Sequence, residues 1–218
     1  MLGGVRLVIY DLDGTLIDSR EAIVESFNIV LKEMGEPPQP AGVIESMIGE
    51  PFSVILSKIL PPDKQNMIQW FWDAYIPVYA RIGPEKTSIL PGVRETLKAL
   101  KDRGLMQSIA TTKRSDVASR LLGELGLLGY FDIVLGINDV ANPKPAPDII
   151  KLTLRRLGFG PEEAVFVEDT TIGLEAGIRA GVRTVGVTTG THSREKLMAA
   201  GPSLVLDRID GLLSLISS

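Results

Sequence analysis

The chain has 218 residues, 44% of them hydrophobic, a length that suits one large α/β domain or a core domain with a smaller one. Its formal charge of −4 disfavours binding nucleic acid through charge, and its lack of cysteine excludes disulfides, thiolate zinc sites and cysteine nucleophiles. The sequence has neither an apolar run of the ~20 residues that a membrane helix needs nor the pattern of a signal peptide, so we expect a cytoplasmic protein without membrane or nucleic-acid partners.

Six short β-rich runs recur along the chain, and helical patterns separate most of them. The runs cover residues 5–10, 105–111, 131–137, 164–167, 183–188 and 203–206. Short apolar strands that alternate with longer helices are typical of a parallel sheet with helices on both faces. Ligands of such sheets bind beyond the carboxyl ends of the strands, so side chains that directly follow a strand are candidate functional residues.

One region after the first strand interrupts this alternation, because it holds helical patterns and no strand-like run. Asp18 and Glu21 have the spacing of a capping box for its first helix. The pattern predicts a helical cap domain, residues 18–87, inserted into a core domain formed by residues 1–17 and 88–218. An insertion at the carboxyl end of a strand should cover the active site and hinge on its two linkers.

Two acidic residues directly follow the first predicted strand, in Asp11-Leu12-Asp13-Gly14-Thr15. Carboxylates two residues apart project from one side of an extended strand end, where their repulsion requires a cation or a shared proton. A magnesium ion bridging them to a phosphate would supply that charge and leave one carboxylate free to attack phosphorus. We interpret them as a nucleophile and a general acid/base that share a metal; the alternative is a capped turn with two solvated acids.

A second acidic pair, Glu168 and Asp169, follows the predicted strand at residues 164–167. At this position the pair could supply further carboxylate ligands to a magnesium ion. The alternative is that Asp169 only caps the helix that follows.

Candidate phosphate-binding groups lie in two other segments. The segment of Thr111, Thr112 and Lys113, at the end of the second predicted strand, offers a hydroxyl and free backbone N–H groups that could hold phosphate oxygens. Threonine is also common in strands for reasons of propensity alone. Lys144 lies among closely spaced prolines that stiffen the backbone, so its charge could be positioned against a phosphate and Asp11; the alternative is an exposed lysine in a turn.

The inserted region contains the residues that could select a substrate. Its third helical pattern is crowded with aromatic residues, namely Trp70, Phe71, Trp72, Tyr75 and Tyr79. We interpret these as internal packing, with a partner or substrate surface as the alternative. The turn-forming residues at 48–52 suggest a loop that faces the core. Glu50 in that loop would disfavour a strongly anionic leaving group, whereas Arg20 and Arg81 would favour one if they face the cleft.

Four segments, in this order, resemble the motifs of the haloacid dehalogenase superfamily. They are DLDGT at 11–15, SIATTK at 108–113, Lys144 in KPAPD, and VFVED at 165–169. The nearest subgroup is the phosphoglycolate phosphatase and β-phosphoglucomutase-like branch. The resemblance implies a three-layer Rossmann-like α/β core with a helical cap of the family's first type.

By matching position, the resemblance implies that Asp11 is the nucleophile and Asp13 the general acid/base. Thr111 and Lys144 would bind the transferring phosphoryl group, with Thr112 beside them where many relatives have asparagine. Dehalogenases and phosphonatases of the family lack the second acid, so the presence of Asp13 argues against both activities.

The resemblance also implies a Mg²⁺ site formed by Asp11, the backbone carbonyl of Asp13, Asp169 and Glu168, the last as a direct or water-bridged ligand. Many phosphatases of the branch have Gly-Asp in this motif and a further acid four residues after the Asp. Here Glu168 replaces the glycine and Gly173 fills the later position. This variant resembles the mutase-like members.

Together these features predict a phosphoric monoester hydrolase, specifically a magnesium-dependent phosphatase that acts on a small phosphorylated metabolite through an aspartyl phosphate. A phosphomutase would share every core residue and is the first alternative. A phospho-accepting signalling module also combines acids, a threonine and a lysine on a parallel sheet, but it has about half this length and no helical insert. The sequence gives no indication of oligomeric state.

Overall fold

A six-stranded parallel sheet forms the centre of the molecule in the computed structural model, which describes residues 2–216. The strands of the protein are β1 (Leu7–Tyr10), β2 (Ile17–Asp18), β3 (Ser88–Ile89), β4 (Met106–Ala110), β5 (Ile133–Leu135), β6 (Ala164–Glu168), β7 (Arg183–Val187) and β8 (Leu204–Leu206). The large sheet has the order β5-β4-β1-β6-β7-β8, and every neighbouring pair is parallel. The predicted α/β fold is therefore confirmed.

Nine α-helices are present within the described residues. They are α1 (Arg20–Glu33), α2 (Ala41–Glu45), α3 (Phe52–Ile59), α4 (Ile68–Ile82), α5 (Val93–Asp102), α6 (Ser115–Glu124), α7 (Asp148–Leu157), α8 (Thr171–Ala180) and α9 (Arg194–Ala199). Short 3₁₀ helices cover Pro62–Met67, Leu128–Tyr130, Ile137–Asp139, Pro161–Glu163 and Ile209–Ser214. Between residues 2 and 216, no helix is long and apolar enough to cross a membrane.

The central strand β1 is apolar throughout because both of its faces are buried. Val8 and Tyr10 belong to one hydrophobic cluster, whereas Leu7 and Ile9 belong to a second cluster on the opposite face. Because successive side chains of a strand point to opposite faces, one short run contributes to both cores. This explains why the sequence of β1 is continuously apolar and does not alternate between apolar and polar residues.

The inserted helices α1–α4 are connected to the rest of the chain through a small antiparallel ribbon. Ile17 pairs with Ile89 and Asp18 with Ser88, so the two connecting segments are hydrogen-bonded to each other. The sequence pattern did not predict this ribbon. The predicted domain boundaries at 17/18 and 87/88 fall on it, and the division into two domains stays a prediction.

The predicted capping box of α1 is wrong. Ser19 is the N-cap, and no side chain caps the helix. Asp18 instead pairs with the Arg20 guanidinium, and Glu21 pairs with Lys86 on the returning segment. Of these two pairs, only that of Glu21 and Lys86 joins the two connecting segments, whereas that of Asp18 and Arg20 is local. The terminal residues Met1, Ser217 and Ser218, which the predicted core domain includes, lie outside the described residues.

Candidate active site

Three carboxylates meet at the carboxyl end of the central strands. Asp11 directly follows β1, and Glu168 and Asp169 stand at the end of β6, its parallel neighbour. One oxygen from each of the three lies within 4.8 Å of the others, and all three side chains are buried. Adjacent parallel strands end at the same edge of the sheet, which is why residues so distant in sequence come together.

Lys144 is buried against this cluster. Its Nζ lies 2.7 Å from Oδ1 of Asp11 and 2.9 Å from Oε2 of Glu168, and the residue is only 3% exposed. The alternative of an exposed turn lysine is therefore wrong. Burial alone would lower the pKa of Lys144, but the negative charges of Asp11 and Glu168 raise it above its ordinary value. The ammonium group thus stays charged in a buried position.

The two acids of the β6 end are held differently. Oε1 of Glu168 accepts hydrogen bonds at 3.0 Å from the backbone N–H groups of Asp169 and Thr170 and from the Thr170 hydroxyl. Oδ1 of Asp169 accepts one hydrogen bond at 2.9 Å from the Thr15 hydroxyl. Thr170, and not Asp169, caps α8 through its hydroxyl, which accepts from the N–H of Gly173. The capping alternative for Asp169 is therefore wrong.

Three glycines leave room for these carboxylates. A Cβ on Gly14 or Gly190 would overlap the Asp169 carboxylate, and a Cβ on Gly173 would overlap that of Glu168. Gly14 also has a positive φ of 85°, which favours glycine. The sequence pattern gave no role to Gly190, because a lone glycine in a loop carries no signal for what packs against it.

Asp13 stands apart from the three-carboxylate cluster. Its Oδ2 lies 3.1 Å from Nζ of Lys113, and its Oδ1 accepts a hydrogen bond from the Ser19 hydroxyl. The Lys113 ammonium also lies over the ring of Tyr79, 4.4 Å from its centroid, which links Asp13 to the inserted helix α4. Sequence reasoning assigned no role to Ser19, and it grouped Lys113 with the candidate phosphate-binding threonines rather than with Asp13.

The predicted phosphate-binding residues also come together. Thr111, Thr112 and Lys144 lie together around a narrow crevice that has no room for a water molecule. Thr111 is almost fully buried, and its hydroxyl accepts a hydrogen bond at 3.2 Å from the N–H of Lys113.

A groove lies between the inserted helices and the core. Its core side is formed by Asp13, Thr112 and Lys113. Its inserted side carries mainly apolar side chains, among them Phe27, Ile48, Phe52, Ile55, Trp72 and Tyr75. We call this feature the aromatic groove. Gly49 and Glu50 also line it, as expected for a loop that faces the core.

The three-carboxylate cluster has the chemistry of a hard-cation site. All of its donors are carboxylate oxygens, the type that small divalent cations prefer. Burial, and then repulsion from Glu168, raises the pKa of Asp11 to about 7 and that of Asp169 well above its ordinary value. The adjacent positive charge of Lys144 offsets only part of this effect. A divalent cation would stabilise the charged forms of both aspartates.

Comparison with known proteins identifies the family. The sequence model of the haloacid dehalogenase-like hydrolases matches residues 8–187. The chain is 36% identical over 204 residues to "Probable phosphatase IndB" of Dickeya dadantii, covering 92% of this chain and 89% of that protein. It is 33% identical over 218 residues to the phosphoglycolate phosphatase of Aquifex aeolicus, covering 98% of both. The crystal structure of a haloacid dehalogenase-like hydrolase from Bacteroides fragilis superposes with a TM-score of 0.87 at 27% identity, covering 95% of this chain and 99% of that one. The prediction from the four motifs is therefore confirmed, and the chain is an enzyme of the haloacid dehalogenase-like hydrolase family.

Proposed function

We propose that the protein is a magnesium-dependent phosphatase that hydrolyses a small phosphate monoester through an aspartyl phosphate. The single observation that carries this proposal is the buried contact of 2.7 Å between Lys144 Nζ and Asp11 Oδ1, beside two further carboxylates. A nucleophilic carboxylate next to a fixed cation is suited to attack a phosphoryl group. The names of the Dickeya and Aquifex relatives support the same reaction class.

In the first proposed step, an Asp11 oxygen forms a bond to phosphorus as the bond between phosphorus and the leaving oxygen breaks. Asp13, whose carboxyl group faces the aromatic groove, gives its proton to the leaving alkoxide. Lys144 and Thr111 hold the phosphoryl oxygens while charge redistributes over them.

In the second step, the Asp13 carboxylate takes a proton from water, and the resulting hydroxide attacks the aspartyl phosphate. The bond between Asp11 and phosphorus breaks, which releases inorganic phosphate and restores both aspartates. Asp13 therefore acts as the acid in one step and the base in the other.

The metal would be held by carboxylate oxygens of Asp11 and Asp169 and by the backbone carbonyl of Asp13, with Glu168 as a further ligand, direct or water-bridged. It would supply positive charge against the phosphoryl oxygens. We also propose that residues 18–87 form a cap that covers this site. The ribbon joining Ile17–Asp18 to Ser88–Ile89 supports a common hinge for that cap.

Substitution of Asp11 tests the assignment. Asp11→Asn should lower phosphate release by about 1000-fold or more while a phosphate ester still binds, because the nucleophile is lost and the binding groups remain. Asp102→Asn, at an exposed side chain of α5, is the matched control and should keep wild-type turnover. Wild-type turnover in Asp11→Asn would refute the proposal.

A phosphomutase is the second candidate, because Glu168 and Gly173 together resemble the mutase-like members of the family. It would use the same core residues but return the phosphoryl group to a sugar rather than to water. Incubation with hexose 1-phosphates distinguishes the two reactions: isomerisation without free phosphate would establish the mutase.

A further inference from the structure

The aromatic groove leads directly from the groups proposed to act on the leaving oxygen. Asp13 lines it, and Thr112 lines both the groove and the narrow crevice that Lys144 also lines. A phosphate ester bound with its phosphoryl group against Asp11 and Lys144 would therefore place its leaving group in this groove.

The charged side chains that line the groove do not favour an anionic leaving group. Within the described residues they are two carboxylates, Asp13 and Glu50, and one ammonium, Lys113. Lys113 is already paired with Asp13 at 3.1 Å, and Glu50 is paired with Lys58 at 2.6 Å. A carboxylate on the leaving group would lose water and find no unpaired cation among the described residues that line the groove, which is costly.

The two arginines that could have reversed this balance do not line the groove. The Nε of Arg20 lies 2.8 Å from Oδ1 of Asp18, beside the ribbon. Arg81 is exposed near the end of α4. Neither is among the residues that form the groove.

Four aromatic rings line the inserted side of the groove, and each packs against at least one of the others. Trp72 is half-buried and packs edge-on against Phe52, with ring centroids 4.1 Å apart. It also stacks on Tyr75 with an interplanar angle of 20°. Rings immobilised by their neighbours lose little conformational freedom when a ligand binds, so they favour a flat apolar partner.

Resting on the phosphatase activity proposed above, we infer that this protein prefers phosphate monoesters of alcohols that carry a flat apolar ring and no carboxylate. Trp72 is the residue that determines this specificity, through contact with the leaving-group ring. This preference differs from the one implied by the name of the Aquifex relative, a phosphoglycolate phosphatase, because phosphoglycolate is small and carries a carboxylate.

Three esters with alkoxide leaving groups of similar basicity test the inference: benzyl phosphate, ethyl phosphate and 2-phosphoglycolate. With Mg²⁺ present, we expect kcat/KM for benzyl phosphate to exceed that of each of the others by about 10-fold or more. Trp72→Ala should lower kcat/KM for benzyl phosphate by about 10-fold and change that for ethyl phosphate by less than about two-fold. Trp72→Phe retains a ring and should recover most of the loss.

Trp70→Ala is the matched control, because Trp70 lies on the same helix, is 42% exposed and does not line the groove. It should leave all three values unchanged. Hydrolysis that depends on Asp11 but favours 2-phosphoglycolate, or an equal loss on all three esters in Trp72→Ala, would overturn the inference and leave the proposed function standing. Absence of phosphate release from benzyl phosphate would also overturn the inference alone, whereas wild-type phosphate release in Asp11→Asn would overturn the proposed function and the inference with it.

Discussion

At the scale of single residues, Glu168 and Gly173 depend on each other. Oε2 of Glu168 holds Lys144, and it occupies the space where a side chain at position 173 would begin. A glycine inside a helix is otherwise unfavourable by about 1 kcal/mol relative to alanine. Its presence in α8 is explained by the carboxylate that packs against it.

This dependence predicts a change of sign in a double-mutant cycle. Gly173→Ala should destabilise the wild-type protein by about 1–3 kcal/mol, because the new methyl group displaces a buried carboxylate. In a Glu168→Gly background the same change should stabilise by up to about 1 kcal/mol, since only helix propensity remains. Urea unfolding measures both values.

Gly123→Ala in α6 serves as the control for helix propensity, because a Cβ there would meet nothing closer than 4.0 Å. It should stabilise both backgrounds equally. Equal effects of Gly173→Ala in the two backgrounds would contradict the coupling.

Asp11 predicts a pH dependence of stability in the metal-free protein. Burial, and then the charge of Glu168, raises its pKa from 3.8 to about 7. A carboxyl group whose pKa rises on folding holds its proton more tightly in the folded state. Its contribution to stability is therefore full below about pH 4 and is lost as the pH rises towards about 7.

The Asp11→Asn variant isolates this contribution. In EDTA, the free energy of unfolding of the wild type minus that of the variant should fall by up to about 4 kcal/mol between about pH 4 and pH 8. Urea unfolding at several pH values, followed by circular dichroism, gives the difference. A difference that stays constant with pH would show that Asp11 titrates normally.

At the scale of elements, helix α4 holds the inserted helices together through its buried face. Phe71 is fully buried, and its ring lies 5.4 Å from that of Phe27 on α1 and 6.0 Å from that of Phe52 on α3. Phe71, Tyr75 and Tyr79 are buried, which fits the interpretation of the α4 aromatic residues as internal packing. For Trp70, which is 42% exposed, that interpretation is wrong. Trp72, which lines the aromatic groove, fits the alternative of a substrate surface.

Neighbouring residues on α4 should therefore differ sharply in their effect on stability. Phe71→Ala should cost about 3–5 kcal/mol, because it leaves a cavity among three helices. Trp70→Ala, one residue earlier at an exposed position, should change stability by less than about 0.5 kcal/mol. Thermal unfolding measures both variants, and similar losses would contradict the assigned packing.

Elements with a strong local pattern could be predicted from the sequence, whereas contacts between distant segments could not. The apolar run of β1 and the acids that follow it identify a strand and its functional end. The ribbon of β2 and β3 has only two residues in each strand, too few for a periodic pattern. Lys113 could not be assigned to Asp13, because that ion pair depends on how the chain folds rather than on local spacing.

At the scale of the whole molecule, the site exists only when remote parts of the chain are assembled. Lys144 and Asp11 are 133 residues apart in sequence, and Thr15 reaches Asp169 across 154 residues. A cation that binds these carboxylates binds the folded protein and not the unfolded chain. Binding at this one edge of the sheet should therefore stabilise the entire fold.

Magnesium should raise the melting temperature of the wild type, and Asp169 should be required for the effect. At a Mg²⁺ concentration of about 100 times Kd, the stabilisation is about 2.7 kcal/mol. For a chain of this size that corresponds to a rise in Tm of about 5–11 °C.

Asp169→Asn should melt higher than the wild type in EDTA, because burial and the charge of Glu168 raise the pKa of Asp169 and disfavour its charged form. The same variant should gain little on addition of Mg²⁺, whereas Asp102→Asn should respond as the wild type does. A full magnesium response in Asp169→Asn would place the metal outside the three-carboxylate cluster, since a cation held there would lose one of its charged ligands.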